Sequence, residues 1–558
     1  MAASAALDAG ARVECEAEDP LRLTPLQLAS QHGHALVVQL LLKRGAALRA
    51  KHNSCLTALR LAAQEGHASV VPLLLQYGAD VNASDEHGWT AMHAACDRGH
   101  AAVVWLLAEG GACCHTAALN GKSPLHLAAE KGHASVVTLL LELEANPDAA
   151  DHDGLTPLLS AAQNGHASVV ALLLKCEIDS ELVDSGGSTA LHLAAQLGHA
   201  SVVALLLANG ANIHATTDES NTPLHLAAWY GHLSVVWLLL EQGADMHMRG
   251  GNGCTPLMEA SQGGHDSVVS LLLERGADLS AKENKGCSAL HLAAMEGRDS
   301  VIVQLIKHGA EVNDEDNAKW TPLHLASQDG RTTAVALLLE RGAYVTATDQ
   351  DGFTPLHSAV SPIPLEDDDD DERPPTTVQG RLECAQLLLE GGAQITAQMR
   401  GRDLEEFVEQ AVAHRCRDLV FRLLWHGVEV KAPGGSAADA APADDTNTIA
   451  IADKLAVDTM LPEWACGRLR AWRPDAHALF PAAFRANVRA LLLATLGSLD
   501  GSVAESGALG THRRLQNPLR LLHERCLLEP IFQALLLAHM GGPPAPPFAT
   551  AESGGTRS

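Results

Sequence analysis

A chain of 558 residues exceeds what one ordinary hydrophobic core organises, so it holds either several domains or one repetitive array. Its hydrophobic share of 47% is normal for a soluble protein, but aromatics reach only 3%, which suits thin helical layers better than a thick sandwich core. With 39 Lys and Arg against 67 Asp and Glu, the net charge of -28 sets the average field against nucleic-acid phosphates and anionic membranes.

Residues 1–18 have no basic start followed by an apolar run, so they read as a disordered N-terminus, and no stretch of 18 uncharged apolar residues follows anywhere. The chain is therefore expected to be neither secreted nor membrane-spanning, and to reside in the cytoplasm or nucleus. Its 12 cysteines include no CxxC pair; the nearest neighbours are the adjacent Cys113 and Cys114, a spacing that suits neither a disulfide framework nor a zinc site. They read as reduced thiols.

From residue 19 a period dominates. Tetrads of the Thr-Pro-Leu-His type begin at Thr24, Thr57, Thr90, Ser123, Thr156, Thr189, Thr222, Thr255, Ser288, Thr321 and Thr354, every step being 33 residues. Within Thr222 to Asp245, Thr222 can cap a first helix, Pro223 sits in its first turn, and Leu224, Leu226, Ala227 and Ala228 make it apolar. Gly231 ends that helix. Leu233, Val235, Val236, Leu238, Leu239 and Leu240 give a second helix, apolar around most of its circumference, and Gly243 supplies its stop.

This unit resembles the ankyrin repeat, over roughly residues 19–430. The resemblance implies an all-α solenoid, with a β-turn and two antiparallel helices per repeat, contacts between neighbours only, and modified units at the ends. Arg60, Leu159 and Met258 replace the tetrad histidine. The eleventh unit is interrupted by an acidic insert, 361–380, whose Glu366 to Glu372 repel one another, and its second helix is expected to resume at Arg381. That insert is read as a solvated loop, the alternative being a lure for a basic partner. Residues 404–430 still read as two helices without a Thr-Pro start, a degenerate twelfth repeat that caps the array.

Residues 431–447 are a flexible linker, 448–540 a small helical C-terminal module, and 541–558 a disordered tail. Arrays of this family that end in a helical SOCS box are substrate receptors of cullin-type ubiquitin ligases. Leu522 and Cys526 match the middle of the elongin-binding helix, whereas Leu521 and Pro530 depart from its flanks. That receptor role is the alternative function.

The 29 histidines need no metal. Fifteen recur with the period: seven in the tetrad, from His93 to His357, and eight after the mid-repeat glycine, from His34 to His265. In the family the tetrad histidine bonds turn backbone. Gly121-Lys122-Ser123 lacks the first glycine of a phosphate loop, since Thr116 stands there, and Gly186 to Ala190 lacks the last glycine of a nucleophile elbow. No enzyme, cofactor, metal or small-molecule substrate is expected.

The positions that the framework leaves free are the turn tips and the two residues before the mid-repeat glycine, which face the concave groove in the family. Most are polar, such as Glu130 and Lys131. Trp229 and Tyr230 are adjacent aromatics there, the composition of an interface anchor, against the simpler reading that they pad the neighbouring turn. Trp89, Trp320 and Phe353, just before their tetrads, are further candidates for partner binding. Repeats of this pattern are also substrates of an asparaginyl hydroxylase in animal cells, and the resemblance marks Asn82 and Asn313. The reading is thus a monomeric, non-catalytic scaffold or adaptor that binds partner proteins along the groove and turn tips.

Overall fold

Thr and Ser at the head of each tetrad hold extended backbone and start a short helix. Thr222 sits at φ -87 and ψ 165, its Oγ1 accepts the His225 N–H at 3.4 Å, and its own N–H donates to His225 Nδ1 at 3.3 Å. This is a capping box in which an imidazole takes the place of the usual Glu or Gln. The resulting helices are only six to eight residues long, from Pro25–Gln31 to Pro355–Val360, and helices so short gain their stability from packing.

The structure is a computed structural model that describes residues 23–48, 57–176, 178–360 and 378–395, together with 407, 410, 411, 414, 416, 419 and 423. Among the described residues there are 22 α-helices and no strand. They alternate short first helices with second helices of six to thirteen residues. Two compact units are present: residues 1–293 with 298–317, and residues 294–297 with 318–558. In both, first helices of successive repeats pack together, as do second helices. The core follows the sequence pattern. In Leu233–Glu241 the second-helix residues Val235, Val236 and Leu239 are fully buried, as are Ala227 and Ala228 of the first helix, whose methyl side chains let neighbouring backbones approach. Each buried Val or Leu contributes about 2 kcal/mol.

Two sets of hydrogen bonds join one repeat to the next. The tetrad imidazole, besides capping its own helix through Nδ1, donates from Nε2 to the following turn: His126 to Leu155 O at 2.9 Å, His225 to Met248 O and Cys254 O at 3.1 Å each, and His324 to Phe353 O at 3.2 Å. Burial lowers the pKa of His126, His192 and His225, and pushes that of His93 down to about 4, so these rings stay neutral.

The second set was not anticipated from the sequence. From the second repeat on, the histidine after the mid-repeat glycine donates Nε2–H to a carbonyl 36 residues upstream, as in His67 to Gln31 O at 2.8 Å, His166 to Glu130 O at 2.8 Å, His232 to Gln196 O at 2.8 Å and His265 to Trp229 O at 2.7 Å. Where arginine replaces histidine its Nε does the same, Arg298 to Gln262 O at 3.0 Å in the first unit and Arg331 to Met295 O at 2.9 Å in the second.

Departures from the repeat are absorbed locally. Arg60, in a tetrad-histidine position, pairs with Asp85 of the next turn at 2.8 Å, both groups being largely buried. The second helix of that repeat starts late, at Val71, because Pro72 has no N–H to extend a helix backwards. The helix expected from Arg381 spans Val378–Glu390 and so includes the three residues before it: Gly380 is buried within it, and Arg381, itself buried, lies against Gly330, where the histidines lie in earlier repeats. Of the degenerate twelfth repeat, Phe407, Ala411, Leu419 and Leu423 are buried, the i, i+4 spacing of helix faces. The N-terminal segment 1–18, residues 361–377 of the acidic insert, the linker 431–447, the helical module 448–540 with Leu522 and Cys526, and the tail 541–558 lie outside the described residues.

The two glycines of a repeat differ physically. Gly198, at φ +76, would place an added Cβ 2.6 Å from the His232 ring, whereas Gly210, at φ +86, faces open space. Gly210→Ala is therefore expected to cost only the strain of a left-handed alanine, about 1 kcal/mol. Gly198→Ala adds a clash with the imidazole that links two repeats, and should cost at least about 2 kcal/mol. Urea unfolding of both variants checks this; equal costs would mean that the imidazole is not held in place.

Candidate functional site

Four local departures from the repeat meet at the junction of the seventh and eighth units. In the seventh, the two positions before the mid-repeat glycine are Trp229 and Tyr230. In the eighth, Met258 replaces the tetrad histidine and Glu259 stands where every other unit has Leu, Ala or Ser. The turn between them carries Gly250 at a position that in four other repeats holds Asp85, Asp151, Asp184 or Asp349, whose carboxylates accept two turn N–H groups each. Without that carboxylate the turn closes differently: Gly251–Gly253 forms one 3-10 turn, and Asn221 of the preceding repeat accepts the Gly251 N–H at 2.9 Å.

Trp229, Tyr230 and Glu259, with Gly251 of the altered turn, border a cavity of about 610 Å³ on the face made by short helices and turn tips. Trp229 and Tyr230, the aromatic pair singled out from the sequence, both line it, beside His225, Cys254, Glu219 and Glu259. Trp229 is half-buried and its carbonyl is fixed by His265, while Tyr230 is 45% exposed, stacks on His232 at 6.4 Å and accepts a hydrogen bond from Gln196 at 3.3 Å. The rings therefore partly pad their own repeat and partly face the cavity.

The electrostatics are those of a binding pocket rather than a reactive one. Burial alone pushes the Glu259 carboxyl up to about 7, and no cation among the described residues pairs with it. Burial, reinforced by the charges of Glu259 and Glu283, pushes the Cys254 thiol up to about 12, which makes it a poor nucleophile. His225 has Nδ1 committed to Thr222 and Nε2 to two carbonyls, so it has no lone pair to offer as a base. The lining holds no lysine or arginine. Nearby Arg249 is committed through Nη1 to the carbonyls of Gly253 and Lys282.

The other aromatic candidates lie apart from this cavity. Trp89, Trp320 and Phe353 each sit over the imidazole of their own tetrad, at 6.2 Å, 5.9 Å and 5.3 Å, and Phe353 remains 42% exposed. Asn82 is exposed, but its carboxamide already spans two repeats, accepting the Cys113 N–H at 2.9 Å and donating to Gly111 O at 3.4 Å. Asn313 is half-buried. Sequence reading passed over Glu259, although a lone acid in an otherwise uncharged column of the repeat was a visible signal. It also passed over Trp105 and Trp237, about half exposed at equivalent positions of two second helices.

Among the described residues no helix is long and apolar enough to cross a membrane, and no group of three or more His, Cys, Asp or Glu is placed to hold a metal ion. The family model described as ankyrin repeats in three copies matches overlapping windows, 5–85, 26–117, 83–151, 105–184, 143–217, 178–250, 224–316 and 290–363. The single ankyrin repeat model matches 351–400. A crystal structure of the human ASB11 ankyrin repeat domain is similar at 30% sequence identity, covering 40% of this chain and 99% of that one, with a TM-score of 0.38. No curated protein matches the chain.

Glu259 has a consequence for stability. Its folded pKa lies above the unfolded value of 4.5, so the folded state binds more protons between pH 4.5 and 7 and loses stability as pH rises through that window. At pH 8 the half-buried carboxylate should cost about 2 kcal/mol, less than the full shift converts to because the group keeps some contact with water. Glu259→Gln is thus expected to melt higher than the parent at pH 8 and alongside it at pH 4.5, as thermal denaturation at the two pH values would show; no gain at pH 8 would mean that the carboxylate is solvated.

Proposed function

The chain belongs to the ankyrin-repeat family, and we propose that it is a non-catalytic scaffold or adaptor, acting as a monomer, that holds partner proteins on the face of its short helices and turn tips. Ankyrin repeats generally mediate protein–protein interaction. The observation that supports this reading most directly is the cavity that Trp229 and Tyr230 border, because large aromatics with little rotamer freedom at the rim of a recess are what interface anchors consist of. The engaged His225 and protonated Cys254 favour holding over chemistry. Protein is the partner class that the net charge of -28 and the recess favour over nucleic acid, membrane or small-molecule substrate. The eight described cysteines are free thiols, which supports the cytoplasm or nucleus as the site of action.

Two measurements test this proposal. Proximity labelling in the source cell identifies partners, whose affinity is then compared for Trp229→Ala/Tyr230→Ala and Glu130→Ala/Lys131→Ala. The aromatic pair should cost about 2 kcal/mol or more, roughly thirtyfold in affinity. Glu130 and Lys131 occupy the equivalent positions three repeats earlier, and Glu130 is held by the half-buried Lys122 at 2.7 Å and the exposed Lys131 at 2.8 Å; solvent-reached pairs of this kind contribute about 1 kcal/mol. Normal binding by the aromatic variant, with lowered melting temperature, would assign the rings to packing. Hydroxylation of Asn82 and Asn313 is a separate proposal: intact-residue mass spectrometry of protein from an animal cell should show one added oxygen on either side chain, and unmodified residues would refute it.

A further inference from the structure

The cavity beside Trp229 and Tyr230 has a charge and a shape that narrow what it accepts. Its two charged lining residues are both acids, Glu219 on the exposed rim and Glu259 within. Two aromatic rings border it, and the negative faces of such rings attract cations within about 6 Å. His225 and Cys254 add no positive charge. An apolar side chain of a partner would leave Glu259 buried without compensation, and an acidic one would meet two carboxylates.

We propose that this recess receives one basic side chain, lysine or arginine, from a partner protein, with Glu259 as its counter-charge and Trp229 and Tyr230 as its walls. This deepens the scaffold reading above and rests on it. A volume of about 610 Å³ leaves room for an extended alkyl stem with its charged head. The head, once inside, pairs with a carboxylate that burial otherwise keeps partly protonated near neutral pH, so docking stabilises the ionised form of Glu259. Elsewhere on this face the corresponding position of the first helix is uncharged, as at Leu226, Leu193 and Leu127, so the pocket is confined to one junction and gives the array a fixed register for a basic ligand.

The test uses the full chain and three capped tripeptides, with glycine on either side of arginine, lysine or citrulline, followed by ligand-observed saturation-transfer NMR at pH 8. The arginine and lysine peptides should show saturable binding in the millimolar range, and the neutral citrulline peptide at least fivefold weaker binding. Glu259→Gln should weaken the basic peptides at least fivefold, while its melting temperature, no lower than the parent's, establishes that it is folded. Equal binding of the citrulline peptide, or binding indifferent to Glu259→Gln, overturns the inference. The two readings fail separately. A protein partner that depends on Trp229 and Tyr230 yet ignores Glu259→Gln leaves the groove in place and removes the cation; basic peptides that require Glu259 while the partner ignores the aromatic pair do the reverse.

Discussion

An imidazole N–H donated to a carbonyl 36 residues upstream is the contact on which the repeats of this protein depend for their register. The repeat is 33 residues long, and its first helix is too short to stand alone, so something must fix how each unit sits on the one before. Apolar burial cannot do this by itself, because it is proportional to area and indifferent to direction. The hydrogen bond is directional. It requires a residue without a side chain opposite the ring, and the mid-repeat glycine, in left-handed backbone, supplies that space. Arg298 and Arg331 show that what is retained is an N–H at that point, since guanidinium Nε replaces imidazole Nε2 at nearly the same distance.

With register held by backbone acceptors, the side chains between the linkages are free to vary. The cavity at the junction of the seventh and eighth units arises where several framework residues are relaxed at once. Gly250 lacks the carboxylate that organises four other turns, Met258 removes the tetrad imidazole, and Glu259 puts a charge where every other unit is uncharged. The helix cap survives because Thr255 still accepts the Met258 N–H, at 3.4 Å, so the local fold tolerates the change. A half-buried carboxylate without a counter-charge is unfavourable in the isolated protein. Its presence within a recess rimmed by aromatic rings is intelligible if a ligand supplies the missing charge, and this links the energetics of the array to its recognition of partners.

Much was legible in the sequence because a repeat is its own control. The interval from Thr24 to Thr354 established the family, the two helices per unit and the burial of Val235, Val236 and Leu239, since hydrophobic periodicity and cap residues act locally. The aromatic pair stood out for the same reason. Boundaries were less legible where prolines or insertions intervene: the helix placed from Arg381 already includes Val378, and the helix Val71–Gln76 begins late because of Pro72.

What the sequence by itself determined was everything set by local chemistry: which residues cap, which turn, which bury, and that neighbouring units must cover one another. The tertiary structure decided what depends on residues more than 20 positions apart. It showed that the histidines after the glycines link successive repeats, that Asp85 answers Arg60, and that Gly251, Glu259, Trp229 and Tyr230 border one cavity. The reason is physical. A helix cap or an apolar stripe is read within one turn of chain, whereas a cavity and the charge left unpaired inside it exist only once two units have been stacked.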